Sequence, residues 1–426
     1  MTMRWRYGVM AAVVVLSTLS LRAAQAVSAV PGKPIQLAMI EGLSGPFANA
    51  GNAMQRSLRF GIERVNARGG VKLADGVHPL ELVTLDSKGS AEEALVQLRA
   101  AADRHIGFIL QGNSSAVAMA LLGAIDRQNA REPARRMLFL NYSAADPALT
   151  NDMCSFWHFR FDAHAGMRTD ALADVIQRDQ SIKRVYLLNQ AYSFGRDVST
   201  LTRTALASHR PDIAIVGDEF HPVGRVKDFT PYIAKIRASG ADAVVTGNWG
   251  SDLTLLVKAA REQGLTARFY TFYGNSLGAP AALGDAGVKR VLAVAEWHPN
   301  VDGKASAAWY GAFRQRFPAA SDDYPVLRLD VLVQMLATAL ERAGSAQPEA
   351  VARALEGMKF DNGFHVSWMR ASDHQLMQPL YVMEMDRRGT PSVRFDNEGS
   401  GYGFRTVLAL TAEQSALPTT CRMKRP

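Results

Sequence analysis

Side chains that could hold a small anion occur in the segment 111–116 (QGNSSA). This segment follows a predicted strand and precedes a predicted helix, so Ser114 and Ser115 lie at or near the first residue of that helix. A helix start offers backbone N–H groups without intrahelical partners and the positive end of the helix dipole, and serine hydroxyls add further donors. These groups suit a carboxylate. The alternative is that the serines only cap the helix.

A second candidate is Trp249, in the loop 247–252 (GNWGSD) directly after another predicted strand. In open α/β folds, ligands bind outside the carboxyl ends of the strands. An indole among glycines and polar residues at that position is therefore expected at the rim of a binding site. Packing in the core is the alternative.

The motifs of common enzymes and metal sites are missing from the sequence. The nine histidines include no H-x-x-x-H or H-E-x-x-H spacing, which argues against a metal site. The sequence also has no G-x-S-x-G elbow, no GxxxxGK[ST] loop and no GxGxxG after its first strand. An exported hydrolase with a triad assembled from distant residues stays open as an alternative.

The elements that must position these loops alternate between strands and helices. Near-continuous apolar strands that alternate with helices indicate parallel sheets covered on both faces, and so many units predict two α/β lobes. The predicted strands are 35–40, 80–86, 106–111, 137–141, 185–189, 213–220, 243–247, 269–272 and 291–295, and the main predicted helices are 92–104, 119–129, 166–178, 228–239, 253–263 and 305–317.

The last hundred residues follow a different pattern. Helices are predicted at 328–343 and 349–357. Two short strands at 380–386 and 392–395 flank Arg387-Arg388-Gly389-Thr390, which predicts a β-hairpin. The glycine-rich segment 399–403 is then expected to be a loop after that hairpin.

The segment 35–70 carries a family resemblance. It consists of a buried strand, a loop of small residues and a long amphipathic helix stopped by Gly69-Gly70. The SGPFA-x-x-G loop and the N-x-x-GG stop resemble the opening of type I periplasmic binding proteins, and the leucine/isoleucine/valine-binding branch is the most similar. This resemblance implies a non-enzymatic, monomeric protein without a cofactor, which captures a small solute and delivers it to the membrane permease of an ABC transporter.

The same resemblance implies an α/β fold with two doubly wound parallel-sheet lobes joined by a hinge of three crossings. The crossings are expected near 160–164, 296–299 and 364–372. Lobe I would then comprise 31–160 plus 298–366, and lobe II 161–297 plus 367–420.

Carried over residue by residue, the resemblance also predicts the ligand site. Ser114 matches the serine that grips the ligand carboxylate. Ala144 matches a small residue that touches the head group, and Ala145 replaces a hydroxyl residue, so that contact is lost. Tyr192 or Phe194, with Trp249, would present rings from the second lobe. The predicted ligand-binding residues are Asn113, Ser114, Ser115, Ala144, Ala145, Tyr192, Trp249 and Tyr273.

Tyr273 departs from the pattern of the amino-acid binders, which have an acidic residue there for the ligand ammonium. Ala50 likewise replaces an aromatic residue of the side-chain pocket. A buried ammonium without a counter-charge costs several kcal/mol, although Glu41 or Asp252 could substitute. The expected solute therefore bears a carboxylate and is an amino acid, an amide, or an aromatic or aliphatic acid. A ligand-sensing receptor of the same fold is the alternative role.

The first 26 residues have the pattern of a signal peptide. Arg4 and Arg6 precede an apolar run at 7–21, and Ala24-Gln25-Ala26 supplies a small-x-small cleavage signal. The run of about 15 residues is shorter than the ~20 needed to span a bilayer. Export to the periplasm is predicted, with an uncleaved anchor as the alternative. The net charge of +8 includes no Lys/Arg run of five or more, so nucleic acid is not an expected partner.

Cys154 and Cys421 are the only cysteines. Because an exported compartment permits disulfides, we expect one bridge between them. Such a bridge would tie the C-terminal tail to the second lobe or the hinge. Two unpaired thiols are the alternative.

Overall fold

The computed structural model describes residues 1–2 and 32–426 of the chain. The predicted leader, 1–26, lies outside the described residues from residue 3 onward. Within the described part, no helix combines the length and the apolar character needed to cross a bilayer.

Strands and helices alternate through most of the described chain. The strands are β1 Ile35–Glu41, β2 Val71–Leu73, β3 Gly76–His78, β4 Leu80–Asp86, β5 Phe108–Gln111, β6 Leu138–Asn141, β7 His158–Arg160, β8 Arg184–Gln190, β9 Ala214–His221, β10 Ala243–Thr246, β11 Arg268–Thr271, β12 Val291–Ala295, β13 Lys359–Asp361, β14 Val366–Met369, β15 Leu376–Met377, β16 Leu380–Arg387 and β17 Tyr402–Leu410. The α-helices are α1 Ala48–Ala67, α2 Ala91–Asp103, α3 Ser115–Arg131, α4 Ala165–Arg178, α5 Ser193–His209, α6 Thr230–Ala238, α7 Ser251–Glu262, α8 Ala279–Leu283, α9 Lys304–Arg316, α10 Leu327–Ala343 and α11 Pro348–Leu355.

The first sheet has five parallel strands in the order β4-β1-β5-β6-β7. β1, β5 and β6 are almost wholly buried, as expected for parallel strands covered on both faces. Because β1 lies between β4 and β5, the winding reverses there, and the loops after β1 and β5 flank a crevice. Helix α1 ends at the predicted glycine pair, where Gly70 has a positive φ and its N–H donates to the Val65 carbonyl at 3.1 Å.

The second sheet has seven strands in the order β17-β16-β12-β11-β10-β8-β9. β8 to β12 run parallel, whereas β16 and β17 are antiparallel additions at one edge. Alternate residues of β8 enter different cores: Val185 and Leu187 pack on one face, and Tyr186 and Leu188 on the other. Two doubly wound lobes with mainly parallel sheets confirm the predicted fold class.

The chain passes between the two sheets three times. It leaves the first sheet after β7 and returns after β12, since Trp297 already packs in the first core. At the third passage, Met369 and Leu376 pack in the first core, whereas Trp368 and Met377 pack against the second, and the predicted crossing at 364–372 stays a prediction. The lobe boundaries given above otherwise stay a prediction.

The C-terminal hairpin differs from its prediction. The predicted second strand at 392–395 is not a strand, and β16 pairs instead with β17, Tyr402–Leu410. The intervening loop is held by the Asn300 side chain, which bonds the backbone of Arg394 and Phe395. The glycine-rich segment 399–403 therefore lies inside the hairpin and enters β17, and does not follow the hairpin.

The predicted disulfide between Cys154 and Cys421 is present, with the two Cα atoms 5.7 Å apart. Its position differs from the prediction, because Cys154 lies just before β7 of the first sheet. The tail packs Leu417 against the second-lobe core and then crosses to the first lobe. There Thr420 N–H donates to Asn151 Oδ1 at 2.9 Å, and Arg425 pairs with Glu356 at 2.9 Å. The disulfide thus fixes the tail to the first lobe.

Candidate functional site

A cavity of about 330 Å³ lies between the loops at the carboxyl ends of the two sheets, and both lobes line it. A volume of this size fits a small organic solute. The structure brings together all the predicted ligand-binding residues except Ser114. Those that line the cavity are Asn113, Ser115, Ala144, Ala145, Tyr192, Trp249 and Tyr273.

Ser114 caps α3 and is not among the lining residues. Its Oγ accepts a hydrogen bond from the N–H of Val117 at 3.4 Å, the usual role of a serine at the N-cap position. The sequence left open a choice between capping and ligand contact, and the geometry displays the first. Contact between Ser114 and a ligand carboxylate stays a prediction.

Asn113 is a lining residue with a buried, unused donor. Its Nδ2 is buried and has no hydrogen-bond partner among the residues that the structure describes. A buried donor without a partner costs about 1–3 kcal/mol, so an acceptor atom of a bound solute would relieve that cost. The neighbouring Ser115 and Ala116 are the first residues of α3, whose N–H groups have no intrahelical acceptor. Donors therefore converge on this end of the cavity.

Glu41 is buried in the first lobe and does not line the cavity. It accepts hydrogen bonds from the Tyr142 hydroxyl at 2.6 Å and from the N–H groups of Gly112 and Asn113 at 3.2 and 3.0 Å. Burial raises the pKa of Glu41, and these hydrogen bonds oppose that rise. Its carboxyl group supports the loop that carries Asn113. The suggestion that Glu41 receives a ligand ammonium in this cavity is therefore not supported.

The Asp252 carboxylate likewise accepts hydrogen bonds from other groups of the protein. It is buried, accepts from Gln190 Nε2 at 2.7 Å and from the Gly224 N–H at 2.8 Å, and does not line the cavity. Among the described residues, no aspartate or glutamate lines the cavity at all. In the part of the wall that the structure describes, an ammonium group would have no carboxylate as a counter-charge.

The aromatic side chains of the second lobe form one wall of the cavity, and their hydroxyl and indole N–H groups are its polar part. Trp249 Nε1 donates to the Tyr192 hydroxyl at 2.8 Å. Burial raises the pKa of Tyr192 and of Tyr273, so both phenols are neutral at physiological pH. The Tyr273 ring lies 5.4 Å from the guanidinium carbon of Arg168. A positive charge thus stands behind the position where amino-acid binders have an acid.

Arg328 is the one charged residue among the lining residues that the structure describes, and sequence reasoning missed it. It pairs with both oxygens of Glu296 at 3.0 Å, and its Nε lies 3.2 Å from Asp162 Oδ2. Asp162 in turn pairs with Arg168 at 2.6 Å. All four side chains are buried, and they join the hinge to both lobes. In the sequence Arg328 marked only the beginning of a helix.

Two carboxyl groups face each other between the lobes at the edge of the site. Asp146 follows β6 of the first lobe, and Asp197 lies on α5 of the second within hydrogen-bonding reach of it. Burial, and then the Asp146 charge, raise the pKa of Asp197 to about 7. A raised carboxyl pKa means that the folded form keeps a proton that the unfolded chain has released. The cost of ionising Asp197 is therefore complete above pH 7 and disappears as the pH falls towards 4.

We expect Asp197→Asn to stabilise the protein above pH 7, because it removes the ionised partner of Asp146. The advantage should shrink as the pH is lowered from 7 towards 4. Urea denaturation at pH 8, 6 and 4.5 measures it. Asp302→Asn, at an exposed carboxylate, is the matched control. A stability difference for Asp197→Asn that stays the same at all three pH values would contradict the expectation.

The family comparison agrees with the architecture. Residues 34–390 match the model of a family described as periplasmic binding protein. The chain is 31% identical over 428 residues to Leu/Ile/Val-binding protein homolog 4 of Brucella melitensis, with 97% of both chains covered. It is 23% identical over 332 residues to the leucine-, isoleucine-, valine-, threonine-, and alanine-binding protein of Pseudomonas aeruginosa, covering 77% of this chain and 83% of that one.

Two solved structures share the fold of this chain. The leucine-, isoleucine-, valine-, threonine-, and alanine-binding protein of Brucella ovis, in a closed conformation, superposes with a TM-score of 0.80 at 29% identity, covering 93% of this chain and 100% of that one. A solute-binding protein of an ABC transporter from Rhodopseudomonas palustris HaA2, in complex with p-hydroxybenzoic acid, superposes with a TM-score of 0.73 at 19% identity, covering 89% and 98%.

Proposed function

We propose, from the premise that this chain belongs to the periplasmic binding protein family, that it captures a carboxylate-bearing solute without an ammonium group for an ABC importer. The family consists of solute-binding proteins that are not enzymes, and they work with a membrane permease. The solute class is the new part of the proposal. The observation that carries it is a cavity wall with one arginine and, among the described residues, no acid.

The solute carboxylate is placed against the beginning of α3. Asn113 offers there an Nδ2 group that has no hydrogen-bond partner in the described chain, and the first N–H groups of α3 point out of the same helix end. Hydrogen bonds to a charged acceptor are worth about 1.5–3 kcal/mol each. This end of the cavity therefore supplies most of the recognition of the carboxylate.

The rest of the cavity favours an uncharged body. Apolar side chains from both lobes line it, with neutral hydroxyl groups between them, and Ala50 leaves room that a ring at this position would fill. The apolar lining includes Ala50, Ala53, Met54, Phe194, Leu255 and Leu277. An aromatic or aliphatic acid, or an amide-containing acid, meets these requirements.

An ammonium group meets two unfavourable conditions in this cavity. It finds no carboxylate among the wall residues that the structure describes, and near Tyr273 it would approach the buried Arg168, whose partner Asp162 is already engaged. The desolvation cost of an unpaired buried ion is several kcal/mol. Three of the proteins named above are named for amino acids, and one is in complex with an aromatic acid. The choice between these classes therefore rests on the cavity of this chain.

The predicted leader, 1–26, would direct export to the periplasm, where members of this family act. The solute would be enclosed when the two lobes close about their three crossings, as hinge closure does in periplasmic binders. A permease could then distinguish loaded from empty protein by the closed arrangement. Function as a monomer stays part of this proposal.

A thermal-shift panel built from matched compounds tests the solute class. We expect 4-methylpentanoate, which is leucine without its ammonium, to raise the melting temperature, and leucine and 3-methylbutylamine to leave it unchanged. 3-Phenylpropionate and phenylalanine form a second pair with the same expected order. A ligand present at a hundred times its Kd adds about 2.7 kcal/mol to the free energy of unfolding.

One result of this panel would contradict the proposed solute class. If leucine stabilises the protein at least as well as 4-methylpentanoate, the cavity accepts an ammonium and the solute class is wrong. Isothermal titration of the same compounds then gives the affinities directly. Ser114→Ala, titrated alongside, decides whether the Ser114 hydroxyl contacts the carboxylate or only caps α3.

A further inference from the structure

Phe47 bridges the two lobes at the mouth of the cleft. It ends the short turn Gly45–Phe47 after β1 and stands at the N-cap of α1, in the first lobe. Its neighbours Pro46 and Asn49 line the cavity, but Phe47 itself does not. The ring is half-buried, and its principal neighbours on one side belong to the second lobe.

The first of these neighbours is Trp249. The centroids of the two rings are 4.7 Å apart, with an angle of 31° between the ring planes. Trp249 lines the cavity and donates its Nε1 hydrogen to the Tyr192 hydroxyl. Phe47 therefore supports the aromatic wall from outside, where a solute does not reach.

Two glycines of the second lobe with positive φ angles, Gly224 at +65° and Gly250 at +61°, also lie beside the ring. A Cβ at Gly224 would lie 3.2 Å from Phe47 Cζ, and one at Gly250 would lie 3.7 Å from Cδ1. The opposite edge of the ring meets Gly89 of the first lobe, where a Cβ would lie only 2.6 Å from Cδ2. The Phe47 ring is thus packed between glycines of both lobes, which have no side chain.

We propose that Phe47 is a positioning residue that holds the lobes closed and so sets the retention of the solute without contacting it. The inference rests on the proposed function only in its consequence for affinity. A contact that exists in the closed form alone lowers the free energy of that form and raises the closed fraction. Solute affinity rises with the closed fraction, because only the closed cavity surrounds the solute.

The first experiment needs no solute. The wild-type protein, Phe47→Ala and Phe47→Tyr are compared by small-angle X-ray scattering and by acrylamide quenching of Trp249, isolated by difference from Trp249→Phe. We expect Phe47→Ala to have a larger radius of gyration and a more accessible Trp249, and Phe47→Tyr to match the wild type. Phe317→Ala, at a ring that packs on Phe313 within the first lobe, is the control and should remain compact.

The second experiment measures retention with 4-methylpentanoate as the probe. We expect Phe47→Ala to bind it about tenfold more weakly, through a faster dissociation rate and an unchanged association rate, and Phe47→Tyr to bind it normally. If the wild type binds neither 4-methylpentanoate nor 3-phenylpropionate, the proposed solute class fails, and the solute-free comparison still decides on Phe47. Unchanged solute-free dimensions and quenching in Phe47→Ala, or equal opening in Phe317→Ala, overturn the inference.

Discussion

Replacing Arg328 with methionine is expected to lower the free energy of unfolding by about 3–5 kcal/mol, the usual cost of breaking a buried ion pair. The guanidinium bonds both carboxylate oxygens of Glu296 and also donates to the Tyr142 carbonyl at 2.6 Å. Although burial alone would raise the pKa of Glu296, Arg328 and Arg168 hold it below its ordinary value. Without Arg328, a buried carboxylate loses its main partner.

Urea denaturation at pH 7 measures this effect. Arg342→Met, at an exposed arginine in the last turn of the same helix, is the control and should stay close to the wild type. The double variant Arg328→Met, Glu296→Gln should recover part of the loss, because it leaves no unpaired charge behind. A loss below about 1 kcal/mol in Arg328→Met would show that the ion pair is not needed for stability.

The second large effect is expected for the disulfide. Cys154→Ser together with Cys421→Ser should lower the free energy of unfolding by about 2–5 kcal/mol. The two cysteines are 267 residues apart in sequence, so the bridge removes much conformational freedom from the unfolded chain. The contacts of Thr420 and Arg425 with the first lobe depend on the same anchor.

Denaturation with and without dithiothreitol tests this expectation. Reductant should destabilise the wild type by about as much as the double substitution does, and should leave the double variant unchanged. Alkylation of the denatured, unreduced wild type should find no free thiol. Two alkylatable thiols in that sample would contradict the disulfide itself.

Much of the site could be predicted because its positions follow from the sheet. Loops after parallel strands meet at the carboxyl edge of each sheet, and both edges line the cavity, so Asn113 of the first lobe lies near Trp249 and Tyr273 of the second. The apolar strands that fix these loops are continuous and strongly patterned. The end of the sheet at which each loop lies can therefore be predicted from short sequence segments.

The features that could not be predicted depend on contacts between residues that local sequence patterns do not identify. Arg328 meets Glu296 and Ser143, which are 32 and 185 residues away in sequence. Ser114 and Glu41 carry the expected chemical groups, but neighbouring backbone donors already occupy them. The second hairpin strand was misplaced because a long loop anchored by Asn300 separates the partners, and no tight turn marks their register.

The C-terminal tail gives the hinge a mechanical limit. Leu417 is held at the second lobe by packing, whereas Cys421 is covalently attached to the first lobe. Four residue steps join these anchors, and a fully extended chain spans at most about 3.6 Å per residue. The anchors cannot separate by more than about 14 Å while both hold. The tail therefore acts as a tether, and while the disulfide is intact the length of the tail limits how far the two lobes can open.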